Sequence, residues 1–165
     1  MRVAVLLNAG AGALRNGKTE QSLELLKTAL RDRGVSANFE SCAGEELRSA
    51  AERALQAART GKIDAVVVGG GDGSIRTVAS VFAGTDVPLG VLPLGTLNHF
   101  AKDLGIPTDP QAAAEVIAAG KTRNVDTAQV NGLTFVNNSS IGIYPYLVID
   151  RERRQARHGY SKWVA

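Results

Sequence analysis

Apolar positions along the chain alternate between two spacings. Val3, Ala4, Val5, Leu6 and Leu7 are contiguous, the pattern of a strand covered on both faces. Leu23, Leu26 and Leu30 then recur at helical spacing, and Gly34 marks the position just past that helix. Residues 35–41 predict a second short strand. Leu47, Ala50, Ala51, Ala54 and Ala58 mark a helix that stops at Gly61. Residues 63–68 predict a third strand, which runs directly into Gly69, Gly70 and Gly71. Ile75, Val78, Ala79 and Phe82 give the next helix. Residues 87–92 predict a fourth strand with Pro88 at its start, since proline cannot donate to a ladder. Leu97, Phe100, Ala101 and Leu104 suggest a short helix closed by Gly105. Asp109 followed by Pro110 reads as the N-cap and first residue of a helix that runs on to residue 119.

Strands alternating with helices imply parallel pairing through right-handed crossovers. The expected architecture is α/β, a doubly wound and mainly parallel sheet, with ligands at the carboxyl ends of the strands. The pattern changes after Lys121. Residues 125–130 and 133–136 look like two strands joined by Asn131-Gly132, a type I′ hairpin signal. Residues 141–149 are apolar but of undecided type. A boundary is placed near residue 122, with the beginning of a β-rich unit beyond it.

Composition narrows the class. A chain of 165 residues with 44% apolar and 21% charged residues fits one soluble globular domain with a real core. The net charge of +3 is localised. Residues 1–150 hold 14 Lys+Arg against 15 Asp+Glu, whereas Arg151, Arg153, Arg154, Arg157 and Lys162 face only Glu152 beyond them. No basic stripe covers the body, which argues against nucleic acid as a partner. The basic tail is either an exposed helix face or a contact with anionic lipid headgroups. Cys42 is the lone cysteine, so no intrachain disulfide forms, and a reducing cytoplasm is the expected setting. The N-terminal apolar run is far shorter than the ~20 residues of a membrane span, and no cleavage site follows it.

The candidate chemistry lies at the strand ends. Gly69, Gly70, Gly71, Asp72, Gly73 and Ser74 join a buried strand to a helix. Such a turn lets a ligand approach the backbone and offers successive N–H groups to phosphate. Asp72 would repel phosphate unless a cation mediates, so Mg²⁺ is implied. The plainer alternative is a tight turn with Asp72 capping a helix. The P-loop pattern G-x-x-x-x-G-K-[ST] is absent. G-x-G-x-x-G fails too, because Arg15 and Arg76 stand at the third-glycine positions. Glu40 could imitate the ribose-binding acid of a dehydrogenase. Thr96 and Asn98, in the segment Pro93-Leu94-Gly95-Thr96-Leu97-Asn98-His99-Phe100-Ala101, can bond a nucleotide or cap the helix that follows.

Three segments in this order, Asn8-Ala9-Gly10-Ala11-Gly12, Gly70-Gly71-Asp72-Gly73-Ser74 and residues 93–101, resemble the catalytic domain of the diacylglycerol kinase, sphingosine kinase and bacterial lipid kinase family. The resemblance runs from residue 3 to about residue 145. It implies an N-terminal fold similar to that of NAD kinases. By the same resemblance, Asn8, Ala9, Gly10, Ala11 and Gly12 form the first nucleotide loop, and Ser41 supplies a hydroxyl to the nucleotide. Gly70, Gly71, Asp72, Gly73 and Ser74 wrap the phosphates, and Thr96 and Asn98 belong to the ATP site. Several positions depart from the family pattern. Ser74 replaces a usual Thr, Ala9 a frequent Pro, and His99 a frequent Asp. Arg76 and Thr77 stand where many members have Asn-Glu. His99 has no acidic or cysteine cluster around it in sequence and reads as a first-turn helix residue in the cleft.

The resemblance implies an ATP-dependent lipid kinase that moves the γ-phosphate of ATP to a lipid hydroxyl such as that of diacylglycerol. Asp72 is expected as the catalytic and metal residue, with ATP and Mg²⁺ bound. Residues 1–122 would be the nucleotide-binding α/β domain. Residues 123–165, opened by Asn137-Asn138-Ser139-Ser140-Ile141-Gly142, would be the incomplete start of a β-rich lipid-binding domain, without the family's catalytic base. Peripheral contact with the inner membrane surface is expected. Two alternatives stand beside this reading. One is a non-catalytic nucleotide-binding module that forms a homodimer through residues 125–149. The other is an NAD kinase-like enzyme.

Overall fold

The computed structural model describes residues 1–11, 19–140, 145–150 and 153. Gly12, the segment 141–144 and nearly all of the basic tail lie outside the described residues. The elements are β1 (Arg2–Asn8), α1 (Thr19–Arg31), β2 (Ser36–Cys42), α2 (Leu47–Arg59), β3 (Ala65–Gly70), α3 (Asp72–Phe82), β4 (Leu89–Pro93), α4 (His99–Asp103), α5 (Pro110–Ala118), β5 (Ala128–Val130) and β6 (Leu133–Phe135). The first four strands form one parallel sheet in the order β2-β1-β3-β4.

Period-two alternation divides the core between the two faces of this sheet. Val3, Val5 and Leu7 of β1, Val67 of β3 and Leu92 of β4 pack with Leu26, Ala29 and Leu30 of α1 and with Ala113 and Ala114 of α5. The intervening residues Leu6, Val66, Val68 and Val91 pack against α2, α3 and α4, through Leu47, Ala51, Ile75, Val78, Phe82 and Phe100. The central strands β1 and β3 are therefore covered on both sides, which is why their sequences are nearly continuous apolar runs, whereas the edge strand β2 keeps Ser36, Asn38 and Ser41 exposed. Chain order reverses about β1. The connection to β2 leaves on one side and that to β3 on the other, so a crevice opens between the carboxyl ends of β1 and β3.

Two glycines assigned to the turn belong to the strand. Gly69 and Gly70 stay in the ladder, opposite Leu92 and Pro93. The reason is packing. A Cβ on Gly69 would collide with the Leu7 side chain, and one on Gly70 would lie 2.5 Å from the Ser74 Cβ. Close approach rather than bending demands glycine at both positions, and the bend itself starts at Gly71. Pro88 falls just before β4, where its carbonyl accepts from the Val66 N–H at 3.0 Å. Asp109 caps α5 as expected, its carboxylate accepting from Ala112 N at 2.8 Å.

β5 and β6 form a separate antiparallel pair. Asn131 (φ 49°) and Gly132 (φ 75°) both adopt positive φ at the connection, as a type I′ turn requires. The strand before this turn is shorter than expected, starting at Ala128. Val136, just past β6, packs against the α2/α3 side of the core. Residues 145–150 are helical. Among the described residues no helix is long and apolar enough to cross a membrane.

Candidate functional site

A cleft of about 430 Å³ lies over the carboxyl ends of the parallel strands. Asn8, Gly10 and Ala11 line it after β1, Gly44 and Leu47 after β2, Gly71, Asp72, Gly73, Ser74 and Thr77 after β3, and Gly95, Thr96 and Leu97 after β4. The volume falls within the ~300–1,000 Å³ common for ligand sites.

Three links hold these loops together. Asn8, the last residue of β1, donates from Nδ2 to the Ser74 hydroxyl at 2.7 Å, while its Oδ1 accepts from Gly10 N at 2.8 Å. The first loop is thereby fastened to the start of α3. Glycine meets glycine in the second link, where a Cβ on Gly95 would collide with Gly71 Cα and approach Asn98 Oδ1 to 2.8 Å. The third link is Asp72. Its two carboxylate oxygens accept from the backbone N–H groups of His99 (3.2 Å) and Phe100 (3.0 Å), capping α4 from a different helix. Both residues of α4 served in this way would otherwise carry orphan N–H groups.

The polar inventory of the cleft follows from these links. The first α3 helical bond runs from Ile75 N to Gly71 O at 3.1 Å. The N–H groups of Asp72, Gly73 and Ser74 therefore precede any intrahelical acceptor. Gly71, the N-cap, has no side chain to satisfy them. α2 also starts at the cleft with Leu47, and its first turn carries no acidic residue. The α3 N-terminus thus opens on the cleft in an arrangement that favours an anion, whereas Glu45 and Glu46 place carboxylates just before the start of α2. Gly73 differs from the other glycines of the loop. It sits in the first turn of α3, and a Cβ there would meet nothing within 4 Å.

The remaining expected site residues are distributed as follows. Thr96 lines the cleft with an exposed side chain. Ala9 is exposed between the lining residues Asn8 and Gly10 but does not line the cleft itself, and its N–H donates to Cys42 O at 3.0 Å. Asn98 is buried (6% exposed) in the left-handed region at φ 52°. Its side chain accepts from Gly95 N (2.9 Å) and donates to Gly95 O (2.9 Å) and Pro93 O (3.3 Å), so it staples its own loop and does not line the cleft. Ser41 is exposed on β2, paired with Leu7, and lies off the cleft wall. His99 opens α4 with an exposed side chain away from the lining. Glu40 is held by Arg53 at 2.6 Å. Burial pushes the Cys42 thiol above its ordinary range, with Glu40 and Glu46 adding to the effect.

Gly44, Leu47 and Thr77 line the cleft although no motif marked them, and Leu97 lines it from within the segment 93–101, where its spacing marks it only as a helix-face residue. Gly44 and Leu47 were within reach of sequence reasoning, because they follow β2 at the carboxyl edge where ligands sit. Among the described residues no group of three His, Cys, Asp or Glu could hold a metal by itself.

Comparison with known proteins agrees with this geometry. The family model for the diacylglycerol kinase catalytic domain matches residues 2–130. Diacylglycerol kinase of Mycobacterium tuberculosis is 40% identical over 120 residues, covering 68% of this chain and 38% of that protein. Diacylglycerol kinase of Bacillus subtilis is 38% identical over 119 residues, covering 70% and 38%. Among solved structures, a diacylglycerol kinase of Bacillus anthracis str. Sterne superposes with a TM-score of 0.65 at 26% identity, over 81% of this chain and 47% of that one. The chain thus matches less than half the length of each of these relatives. With the matched residues spanning the whole cleft, the chain belongs to the diacylglycerol kinase catalytic domain family.

Proposed function

We propose that the cleft binds ATP through its phosphates and that the chain serves as the nucleotide-binding domain of a lipid kinase. One observation carries the reading. Gly73 costs the helix stability and relieves no contact within the protein, so its missing side chain makes sense as room for a ligand against the backbone. The N–H groups of Asp72, Gly73 and Ser74 would hold phosphate oxygens. Asn8, Gly10 and Thr96 would flank them.

The reaction would be attack of a lipid hydroxyl oxygen on the γ-phosphorus. The bond from that phosphorus to the β–γ bridging oxygen breaks, and ADP leaves. Such transfers depend mainly on positioning and charge neutralisation. Asp72 would act as the catalytic and metal residue. Each of its oxygens keeps a lone pair beyond the one facing α4, enough to orient the hydroxyl or to serve as one ligand of Mg²⁺. Mg²⁺, when bound, would neutralise phosphate charge and take its other ligands from phosphate and water. Asp72 is the one carboxylate lining the described cleft. The reading accordingly places the base that takes the hydroxyl proton outside the described residues.

Residues 1–122 would form the nucleotide unit. Residues from 123 onward would begin the part that holds lipid, with diacylglycerol as the acceptor and peripheral membrane contact as the setting. Calorimetric titration tests the core of this reading. Mg-ATP and Mg-ADP are expected to bind and NAD to bind weakly. A folded sample without affinity for Mg-ATP would overturn it, and preferential NAD binding would favour an NAD kinase-like site instead. Phosphate incorporation into diacylglycerol by a version extended to the length of the relatives tests the acceptor.

A further inference from the structure

Arg76 stands one residue before Thr77, which lines the cleft. It is exposed on α3, three residues after Gly73 and four after Asp72. Residues at these spacings lie one above the other on a helix, and side chains lean toward the helix N-terminus. Arg76 therefore overlies the first turn of α3, the turn that lines the cleft. Thr77, its neighbour in sequence, lines the cleft with its hydroxyl committed to Gly73 O at 3.0 Å, while the exposed Arg76 side chain stands outside the lining.

Asp72 and Arg76 have the i, i+4 spacing of a helical ion pair. No such pair forms. The Asp72 oxygens are turned to the N–H groups of His99 and Phe100. Among the described residues Arg76 has no ion pair or hydrogen-bond partner. The arginines at 2, 33 and 53, by contrast, each hold a carboxylate. Arg48, across on α2, donates to the Ser80 hydroxyl at 2.9 Å. The cross-helix cap at Asp72 thus leaves Arg76 without a partner among the described residues, three positions past a glycine that has open space over it.

We infer that Arg76 is a phosphate-binding residue whose guanidinium folds over Gly73 onto the polyphosphate of the bound nucleotide. The inference rests on the nucleotide reading of the cleft. A guanidinium presents a planar fork of donors that suits phosphate oxygens and stays charged at any relevant pH. It supplies from this chain part of the neutralisation that a site with a single carboxylate, and hence little capacity to hold metal, otherwise lacks.

The test is calorimetric titration of the whole chain with AMP, ADP and ATP, each in Mg²⁺ and in EDTA. The wild type and the variants Arg76→Ala, Arg76→Lys and Arg48→Ala are compared. Arg76→Ala is expected to keep the wild-type melting temperature and to lose about tenfold in ATP affinity, the size of one modest charge-assisted contact. The loss should shrink from ATP to AMP, and Arg76→Lys should recover part of it. Arg48→Ala should stay within about threefold of wild type, because a general positive field rather than a contact would affect both arginines alike. Equal loss for AMP and ATP, an unchanged Arg76→Ala, or an equal effect of Arg48→Ala would each overturn the inference while leaving the cleft reading intact. A wild-type chain that binds none of the three nucleotides overturns the cleft reading, and the role of Arg76 with it.

Discussion

Replacing Gly73 with alanine should make the protein more stable and its cleft unable to hold nucleotide. Gly73 is helical, lies in the first turn of α3 and does not have positive φ. Glycine within a helix costs up to about 1 kcal/mol relative to alanine through backbone entropy. Near a helix end the gain should be smaller, roughly 0.5–1 kcal/mol. No offsetting clash exists, because the new Cβ meets nothing within 4 Å. For a chain of this size the melting temperature should rise by roughly 1–4 °C. The same methyl group occupies the space through which a phosphate would reach the N–H groups of Gly73 and Ser74. Mg-ATP affinity should therefore fall by at least about tenfold, or ~1.4 kcal/mol. Thermal melting and calorimetry on one sample read both numbers. A variant that binds Mg-ATP like wild type would refute the idea that phosphate lies against this residue, and a lower melting temperature would refute the open space above it.

Other glycines and links of the cleft predict the opposite sign. Gly95→Ala would drive a Cβ into Gly71 Cα, where only backbone could yield, so it should cost about 1–3 kcal/mol and appear as a lower urea midpoint. Asp72→Ala removes the acceptor for two α4 N–H groups and should cost about 2 kcal/mol. Asp72→Asn keeps one acceptor oxygen and should lose about half of that by thermal melting; an asparagine variant as stable as wild type would show that the charge is not needed for the cap. Cys42 has its thiol raised above the ordinary 9.0, mainly by burial. A raised folded-state value means that its contribution is complete below the ordinary value and is lost as pH climbs through the raised one. Urea stability should thus decline as pH rises above the ordinary 9.0, and Cys42→Ala should flatten the decline.

The parallel sheet was legible because its central strands are covered on both faces. Contiguous apolar residues from residue 3 to residue 7 and from residue 65 to residue 68 can be satisfied only by helices on either side. Local chemistry also determined the Asp109-Pro110 helix start and the Asn131-Gly132 turn, since each depends on the φ or capping preference of the residues themselves. The place of the candidate site at the strand ends followed from the same reasoning. What no local pattern contains is which loops touch across the cleft. Asp72 reads as a residue of its own turn, yet its oxygens cap a helix 27 and 28 positions away. Asn98 reads as a nucleotide contact or a helix cap, and in the fold its side chain staples the loop that presses Gly95 onto Gly71. Gly69, Gly70 and Gly73 are the same residue type in one run, but two are glycine because neighbouring side chains crowd them and one is glycine with nothing near it. Crowding is a property of the neighbours that folding brings in: Leu7 of β1 and Leu94 just past β4 for Gly69, and Ser74 of α3 with Asn8 of β1 for Gly70. Sequence determined the elements and the edge of the sheet that could bind; only packing between distant segments decided which polar groups remained free to do so.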